Sequence, residues 1–167
     1  GSTGSTGPTG PQGVQGAVGP NWSVAVICDQ KSNTTDGGSI SSGSWVTRDL
    51  NREIMDPDNI VSISNNQFTL GAGTYLIEAL TPTMRVEGFQ MRLYNVTDSS
   101  MTEGGGSGWN HMSNTWTHMK AYFTINASKT FRIQLRVYGS QTNDWGLGHS
   151  GEFGIVEKYT FVKIIKF

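Results

Sequence analysis

Apolar and polar residues alternate along most of the chain from Trp22 onward, with the period of two that predicts half-buried β-strands. Predicted strands cover residues 22–28, 44–50, 60–64, 67–70, 74–81, 88–96, 115–125, 130–140 and 157–167. The intervening loops are rich in Gly, Asn, Asp and Ser, and no segment has the 3.6-residue period of a helix. Asn65 and Asn66 are predicted to turn one hairpin, and residues 126–129 to turn another. The pattern predicts an all-β Greek-key jelly-roll sandwich.

The first 21 residues follow a different pattern, in which glycine occupies every third position through seven unbroken Gly-X-Y triplets. Pro8, Pro11 and Pro20 all fill the X position. Only glycine fits where three polyproline-type chains meet at a common axis, so this period predicts a collagen triple helix. A flexible linker would need glycine but no fixed period. We therefore predict a collagen-like stem over residues 1–21, a jelly-roll head over residues 22–167, and a homotrimer.

Charge, apolar stretches and cysteine content argue against several classes of protein. The 12 Lys and Arg residues nearly cancel the 13 Asp and Glu residues, and the absence of a basic run argues against nucleic-acid binding. No apolar stretch approaches the roughly 18 residues that a membrane-spanning helix needs, so no membrane insertion is expected. The single cysteine, Cys28, excludes an intrachain disulfide framework. Without an initiator Met or a signal peptide, the sequence is interpreted as the C-terminal piece of a longer polypeptide.

Residues 67–79, QFTLGAGTYLIEA, carry a resemblance to known proteins. Phe68 and Leu70 alternate, Gly73 turns the chain, and Tyr75 and Ile77 resume the core face. The segment resembles the Phe-x-x-x-x-Pro-Gly-x-Tyr-x-Phe signature of the complement component-one-q and tumour-necrosis-factor-like superfamily, although it is one residue shorter and lacks the proline. With residues 90–98 and 151–164 it also resembles the collagen-stemmed fibre heads of bacterial viruses.

The resemblance implies a homotrimer in which three jelly rolls pack around the stem axis and hold three chain ends in register. A closed cyclic trimer is also what the symmetry of a three-stranded stem requires. The resemblance to bacteriophage fibres further implies a place on the virion surface, outside the cell. The head is then expected to attach to a host cell-surface receptor.

Enzymatic and metal-binding chemistry find little support in the sequence. No G-x-S-x-G elbow or H-E-x-x-H motif is present, and Cys28 lies in a predicted buried strand where a thiol serves as an apolar filler. We expect no enzyme activity and no cofactor. Asp56 and Asp58 form the one calcium candidate, but the EF-hand pattern is absent and these residues favour turns in any case.

Two glycine-rich segments contain the candidate binding residues. Residues 102–116 are predicted to be a mobile loop and residues 140–154 a second loop. Together they present Trp109, Asn110, His111, Asp144, Trp145 and His149. Exposed tryptophan beside polar side chains is typical of sugar recognition and of protein hot spots. Alternatively, both tryptophans fold inward and cap the ends of the sandwich.

These observations lead to one main hypothesis and two alternatives. The main hypothesis is a trimeric virion fibre tip whose head binds a host receptor, with carbohydrate as the expected ligand class. The first alternative is a purely structural trimerisation and capping module without a dedicated ligand. The second is a secreted signalling head.

Overall fold

The structure, a computed structural model, describes residues 1–10, 12, 19 and 21–167. Within these residues the regular structure is entirely β, and no helix is present. The strands are β1 (Ser23–Lys31), β2 (Val46–Thr47), β3 (Arg52–Met55), β4 (Val61–Ser64), β5 (Gln67–Leu70), β6 (Gly73–Met84), β7 (Glu87–Asn95), β8 (Ser100–Asn110), β9 (Asn114–Ile125), β10 (Lys129–Val137) and β11 (Glu157–Lys166). The described residues 1–10, 12 and 19 are exposed and belong to no strand.

The strands form two antiparallel sheets. The first sheet has the order β3-β1-β11-β6-β9, and the second has the order β4-β5-β10-β7-β8, with β2 paired beside β5 on the same edge of β10. Along the chain, β6, β9 and β11 of the first sheet thus alternate with the β7–β8 pair and β10 of the second sheet, as in a jelly roll. The predicted all-β sandwich is confirmed.

The core lies between the two sheets and consists of the alternate residues that the sequence pattern identified. Phe68 and Phe131 stack with ring centroids 5.8 Å apart, and Phe123 packs on Phe131 at 5.2 Å. Ile77 and Ile164 are completely buried on the facing sheet. Burying one large apolar side chain stabilises the folded state by about 1.5–3 kcal/mol, which makes this layer the main source of stability.

The predicted turn at Asn65 and Asn66 is present between β4 and β5. Both residues have positive φ, 50° and 60°, which asparagine tolerates better than most residues. By contrast, the predicted hairpin at residues 126–129 is wrong. It joins β9 of the first sheet to β10 of the second, so the two strands do not pair and the loop crosses the sandwich.

The predicted mobile loop at residues 102–116 is also wrong, because most of it forms the edge strand β8. A Cβ atom at Gly106 would lie 2.7 Å from Oγ1 of Thr117 in β9. At Gly105 it would approach Met91 and Met119 at 3.0 and 3.1 Å. The glycines therefore permit a close approach of β8 to the core, and this packing outweighs their low strand propensity.

The register of the strands defines two opposite ends of the head. The first residues of β1 pair with the last residues of β11, so residue 21 and the C-terminus lie at one end. The loops that follow β6, β8 and β10 lie at the opposite end, which we call the distal end. The predicted stem includes residues 11, 13–18 and 20, which lie outside the described residues, and its boundary at residue 21 stays a prediction.

Candidate ligand-binding site

Trp109 lies at the distal end of β8 and remains exposed, with 64% of its surface accessible. Its ring packs against Tyr138, which follows β10 and is 78% exposed, with the ring centroids 6.2 Å apart. Gly88 of β7 lies beneath both rings, since a Cβ atom there would be 2.7 Å from Cδ2 of Tyr138 and 3.2 Å from the Trp109 ring. The absence of a side chain at Gly88 therefore allows the two aromatic rings to meet.

A cleft of about 610 Å³ opens beside these two rings on the outer face of the second sheet. We call it the distal cleft, and its side-chain lining includes Ser42, Gln90, Ser107, Trp109, Arg136 and Tyr138. Two aromatic rings next to hydroxyl, amide and guanidinium groups provide apolar contact and directional hydrogen bonding together. Sites for small polar ligands combine these features.

Asn110 does not belong to this surface, although the sequence placed it beside Trp109 as a ligand contact. It is only 3% exposed, because β8 turns its side chain inward beneath the β6–β7 connection. Its Oδ1 accepts a hydrogen bond from the Val86 amide at 2.9 Å. Its Nδ2 donates to the carbonyl oxygen and to Oγ1 of Thr83, at 3.1 and 2.8 Å. Asn110 therefore stabilises the backbone at the distal end and does not face a ligand.

His111 is exposed in the short turn between β8 and β9, outside the lining of the distal cleft. Its neighbour Met112 is also exposed. The structure thus separates three consecutive candidates: Trp109 lines the cleft, Asn110 is buried, and His111 lies in the turn beyond it. Side chains that alternate across a strand explain the first two placements.

The second predicted loop forms a separate cluster at the distal end. Trp145 is partly buried under the guanidinium group of Arg85, 5.1 Å from its centroid, and lies 6.2 Å from the His149 ring. His149 Nδ1 contacts Oδ1 of Asp36 at 2.8 Å, and the Ser150 amide donates to the same oxygen at 2.7 Å. Burial raises the pKa of Asp36, but these hydrogen bonds outweigh it and hold the pKa below its ordinary value.

Asp144 is exposed in the same loop, and its carbonyl oxygen accepts a hydrogen bond from the Gly38 amide. The Leu147 amide donates to the Gly38 carbonyl oxygen at 2.8 Å. These bonds tie the β10–β11 loop to the β1–β2 loop. Trp145 and His149 therefore stabilise the distal end, and neither lines the distal cleft.

Arg48, which the sequence did not single out, holds this loop from below. It is fully buried, and its Nη2 donates to the Leu147 carbonyl oxygen at 2.8 Å while Nε donates to Oγ1 of Thr160 at 3.0 Å. Burial lowers the pKa of Arg48 to about 10, with Asp29 and Asp49 opposing that effect. The guanidinium group therefore remains charged at neutral pH.

The calcium candidate at Asp56 and Asp58 is explained by backbone contacts. The two carboxylate oxygens of Asp56 accept hydrogen bonds from the Ile60 and Val61 amides, at 2.9 and 3.0 Å. In the part of the chain that the structure describes, no group of three or more His, Cys, Asp or Glu residues is arranged to hold a metal ion. Asp56 thus acts as the acceptor that closes the turn before β4.

The outer face of the first sheet carries partly exposed apolar residues on both sides of a charged row. One apolar row crosses β1, β11, β6 and β9 and consists of Val24, Ile165, Leu76 and Tyr122. Further apolar residues on this face or at its margin are Met55, Leu80, Trp116 and Phe161. Partly exposed apolar surface on both sides of a charged row indicates an interaction site.

Glu78 lies in the middle of that face between two lysines. Its carboxylate contacts Nζ of Lys120 at 3.0 Å and Nζ of Lys163 at 3.3 Å. The hydrogen bond from Lys120, helped by that from Lys163 and opposed by burial, lowers the pKa of Glu78 below its ordinary value. We call these three residues the charged triad.

Solved structures show which fold this arrangement represents. Murine APRIL at pH 8.0 aligns with a TM-score of 0.59 and 9% identity, over 88% of this chain and 100% of that chain. Eiger TNF from S. frugiperda aligns with a TM-score of 0.58 and 12% identity, over 87% and 92% of the two chains. The head has a tumour-necrosis-factor-like fold. The globular domain of zebrafish complement 1qA aligns with a TM-score of 0.49 and 11% identity, over 87% and 94%.

The sequence itself matches no protein-family model and no curated protein. At identities of 9% and 12%, the likeness to APRIL and Eiger concerns the fold alone. Across residues 1–10, 12, 19 and 21–167, no helix is long and apolar enough to cross a membrane.

Proposed function

We propose that this chain forms a homotrimeric virion fibre tip whose head attaches to a carbohydrate receptor on the host surface. The observation that carries the proposal is the distal cleft, in which Trp109 and Tyr138 are exposed at the end of the head opposite the stem. A ligand site at the far end of a shaft is where a fibre first meets a cell. The glycine triplets of residues 1–21 support the collagen-like shaft.

The chemistry of the distal cleft favours carbohydrate as the receptor class. The C–H groups on the face of a pyranose ring pack well against the apolar face of an aromatic ring. Hydroxyl groups at the edge of the sugar are within the reach of polar side chains, here Ser42, Ser107 and Gln90. Rigid strands hold the two rings in place, so little conformational entropy is lost on binding.

The apolar outer face of the first sheet supports the trimer. Three such faces packed around a common axis would cover Tyr122 and Leu76 and place the three charged triads close together. Trp22 and Phe167 meet at the stem end with ring centroids 5.6 Å apart, and Tyr122 packs on Phe167 at 5.9 Å. This aromatic cluster lies where three stems would enter the head.

A trimer also makes weak single-site affinity sufficient for attachment. Three distal clefts on one head, and many heads on one particle, turn later binding events into local ones. Avidity then exceeds the affinity of each cleft without any new contact.

The binding part of the proposal is tested with a glycan array and with host cells. Trp109→Ala and Tyr138→Ala are expected to abolish binding of the full chain. Phe153→Ala is the matched control, because Phe153 is an exposed aromatic residue of the β10–β11 loop outside the cleft. Intact binding by both cleft variants would contradict the proposed site.

The purely structural alternative is supported by the same apolar face and by the aromatic cluster at the stem end. It predicts that the wild-type chain trimerises but binds neither host cells nor any glycan. Light scattering tests the oligomeric state directly. Three chains per particle are expected, and a monomer would contradict both versions.

A further inference from the structure

Three arginines lie together on the outer face of the second sheet, next to the distal cleft. In the pairing of β10 with β7, Arg136 lies opposite Gln90, Gln134 opposite Arg92, and Arg132 opposite Tyr94. Alternate residues on a strand are about 7 Å apart, so Arg132 and Arg136 are separated by roughly 13 Å with Arg92 between them. We call Arg92, Arg132 and Arg136 the arginine strip.

Aromatic rings hold two of these guanidinium groups in place. The guanidinium carbon of Arg92 lies 4.1 Å from the centroid of Trp45 and 4.7 Å from that of Tyr94. The guanidinium group of Arg132 lies 5.0 Å from the same tyrosine ring. Contact with the aromatic faces restricts the conformational freedom of these two guanidinium groups.

No carboxylate neutralises the arginine strip among the residues that the structure describes. The ion pairs there join Asp or Glu to lysines or to His149, and none includes an arginine. Arg92 Nε donates to Gln134 Oε1 at 2.8 Å, which is a neutral partner. Within that same part of the chain, Nε of Arg132 is buried and has no acceptor.

The arginines also affect one another. Burial, followed by the nearby charges of Arg132 and Arg136, lowers the pKa of Arg92 against an opposing effect of Tyr94. Three like charges held at this spacing without a counter-ion form an unusual surface on a chain whose net charge is −1. Such a surface attracts an anion.

The strip is continuous with the distal cleft and open on its other side. Arg136 belongs both to the strip and to the lining of the cleft, and Gln90, which lies opposite Arg136, also lines the cleft. On β8, the residue opposite Arg92 is Gly104, where a Cβ atom would meet nothing within 4 Å. Gly104 therefore adds no side chain on the β8 side of the strip, and an extended ligand can reach the arginines from the cleft along that side.

We propose that the receptor of this head is an acidic oligosaccharide whose carboxylate groups bind the arginine strip while one sugar ring packs on Trp109 and Tyr138. The inference rests on the proposed carbohydrate-binding function and names the class of carbohydrate. The planar fork of arginine matches a carboxylate with two parallel hydrogen bonds. Nucleic acid is the less suitable polyanion, because the faces of Trp45 and Tyr94 are occupied by guanidinium groups and are not free to stack on bases.

The test measures binding of the full chain to a panel of carboxylated oligosaccharides and to their carboxyl-reduced, neutral counterparts. The wild-type chain is expected to bind at least one acidic member about tenfold or more tightly than its neutral counterpart, because tenfold is about 1.4 kcal/mol and one charge-assisted hydrogen bond can supply that difference. The preference should weaken as salt is added. Arg132→Gln and Arg136→Gln should each remove most of it.

Arg85→Gln is the matched control, because Arg85 lies at the distal end over Trp145 and outside the strip. Unchanged thermal unfolding of each variant shows that the fold is intact. Equal binding of acidic and neutral glycans, together with loss of both in Trp109→Ala, would overturn the inference and leave the proposed function standing. Absence of any glycan binding by the wild-type chain would overturn both. If single-stranded DNA binds equally tightly and the same arginine variants lose that binding, the inferred ligand class is polyanions in general and not acidic carbohydrate.

Discussion

Replacing Asn110 by alanine should destabilise the head, whereas replacing its neighbour Trp109 should abolish binding and leave the fold intact. Asn110 is buried and makes three hydrogen bonds, one from the Val86 amide and two to Thr83. At about 1 kcal/mol for each lost bond, and more where the buried amide of Val86 is left without an acceptor, the expected loss is about 3 kcal/mol. For a domain of this size that corresponds to a decrease in Tm of roughly 6–12 °C.

Thermal unfolding followed by circular dichroism measures this loss, with all variants at the same concentration because the proposed trimerisation would couple Tm to concentration. Asn114→Ala is the matched control. Asn114 is exposed at the start of β9, and its replacement should change the free energy of unfolding by less than about 0.5 kcal/mol. If Asn110→Ala unfolds at the temperature of the wild-type chain and loses glycan binding instead, the assignment of Asn110 to the distal backbone is refuted.

Three further predictions concern the outer face of the first sheet, the β10–β11 loop and the distal cleft. Because the pKa of Glu78 is lowered, its contribution to stability is present above its ordinary pKa of 4.5 and is lost as the pH falls through the lowered pKa. Light scattering should show the proposed trimer weakening at that acidic pH but not at neutral pH. Arg48→Ala should lower the free energy of unfolding by about 3 kcal/mol and expose the loop around Leu147 to proteolysis, because the buried Leu147 carbonyl oxygen loses its donor. Resistance to proteolysis equal to that of the wild-type chain would contradict this. Gly88→Ala should weaken glycan binding without a comparable loss of Tm, because the new methyl group displaces Tyr138; unchanged affinity would contradict the geometry of the cleft.

The parts of the fold that the sequence predicted are those in which local pattern and tertiary packing agree. Alternation over residues 74–81 and 115–125 identified β6 and β9, which pair along their whole length. The Asn65–Asn66 turn followed from the backbone preference of asparagine. β8 was missed because its four glycines disfavour a strand locally, and only the contacts of Gly105 and Gly106 with the core explain its position.

The candidate site was predicted only in part for a similar reason. Trp109 was identified, but Tyr138 directly follows β10 and becomes its neighbour only through the pairing of β10 and β8 with β7. The alternation of Arg132 and Arg136 is visible in the sequence, where it is explained equally well by a solvated strand face. Their position beside Arg92 depends on the register between strands, for which the sequence carries no local signal.

The most direct test of the account is a crystal structure of the full chain with the oligosaccharide that the binding panel selects. We expect a trimer with one saccharide in each distal cleft, a sugar ring against Trp109 and Tyr138, and a carboxylate on Arg136. A saccharide bound instead beside Trp145, on the outer face of the first sheet or along the stem would contradict it.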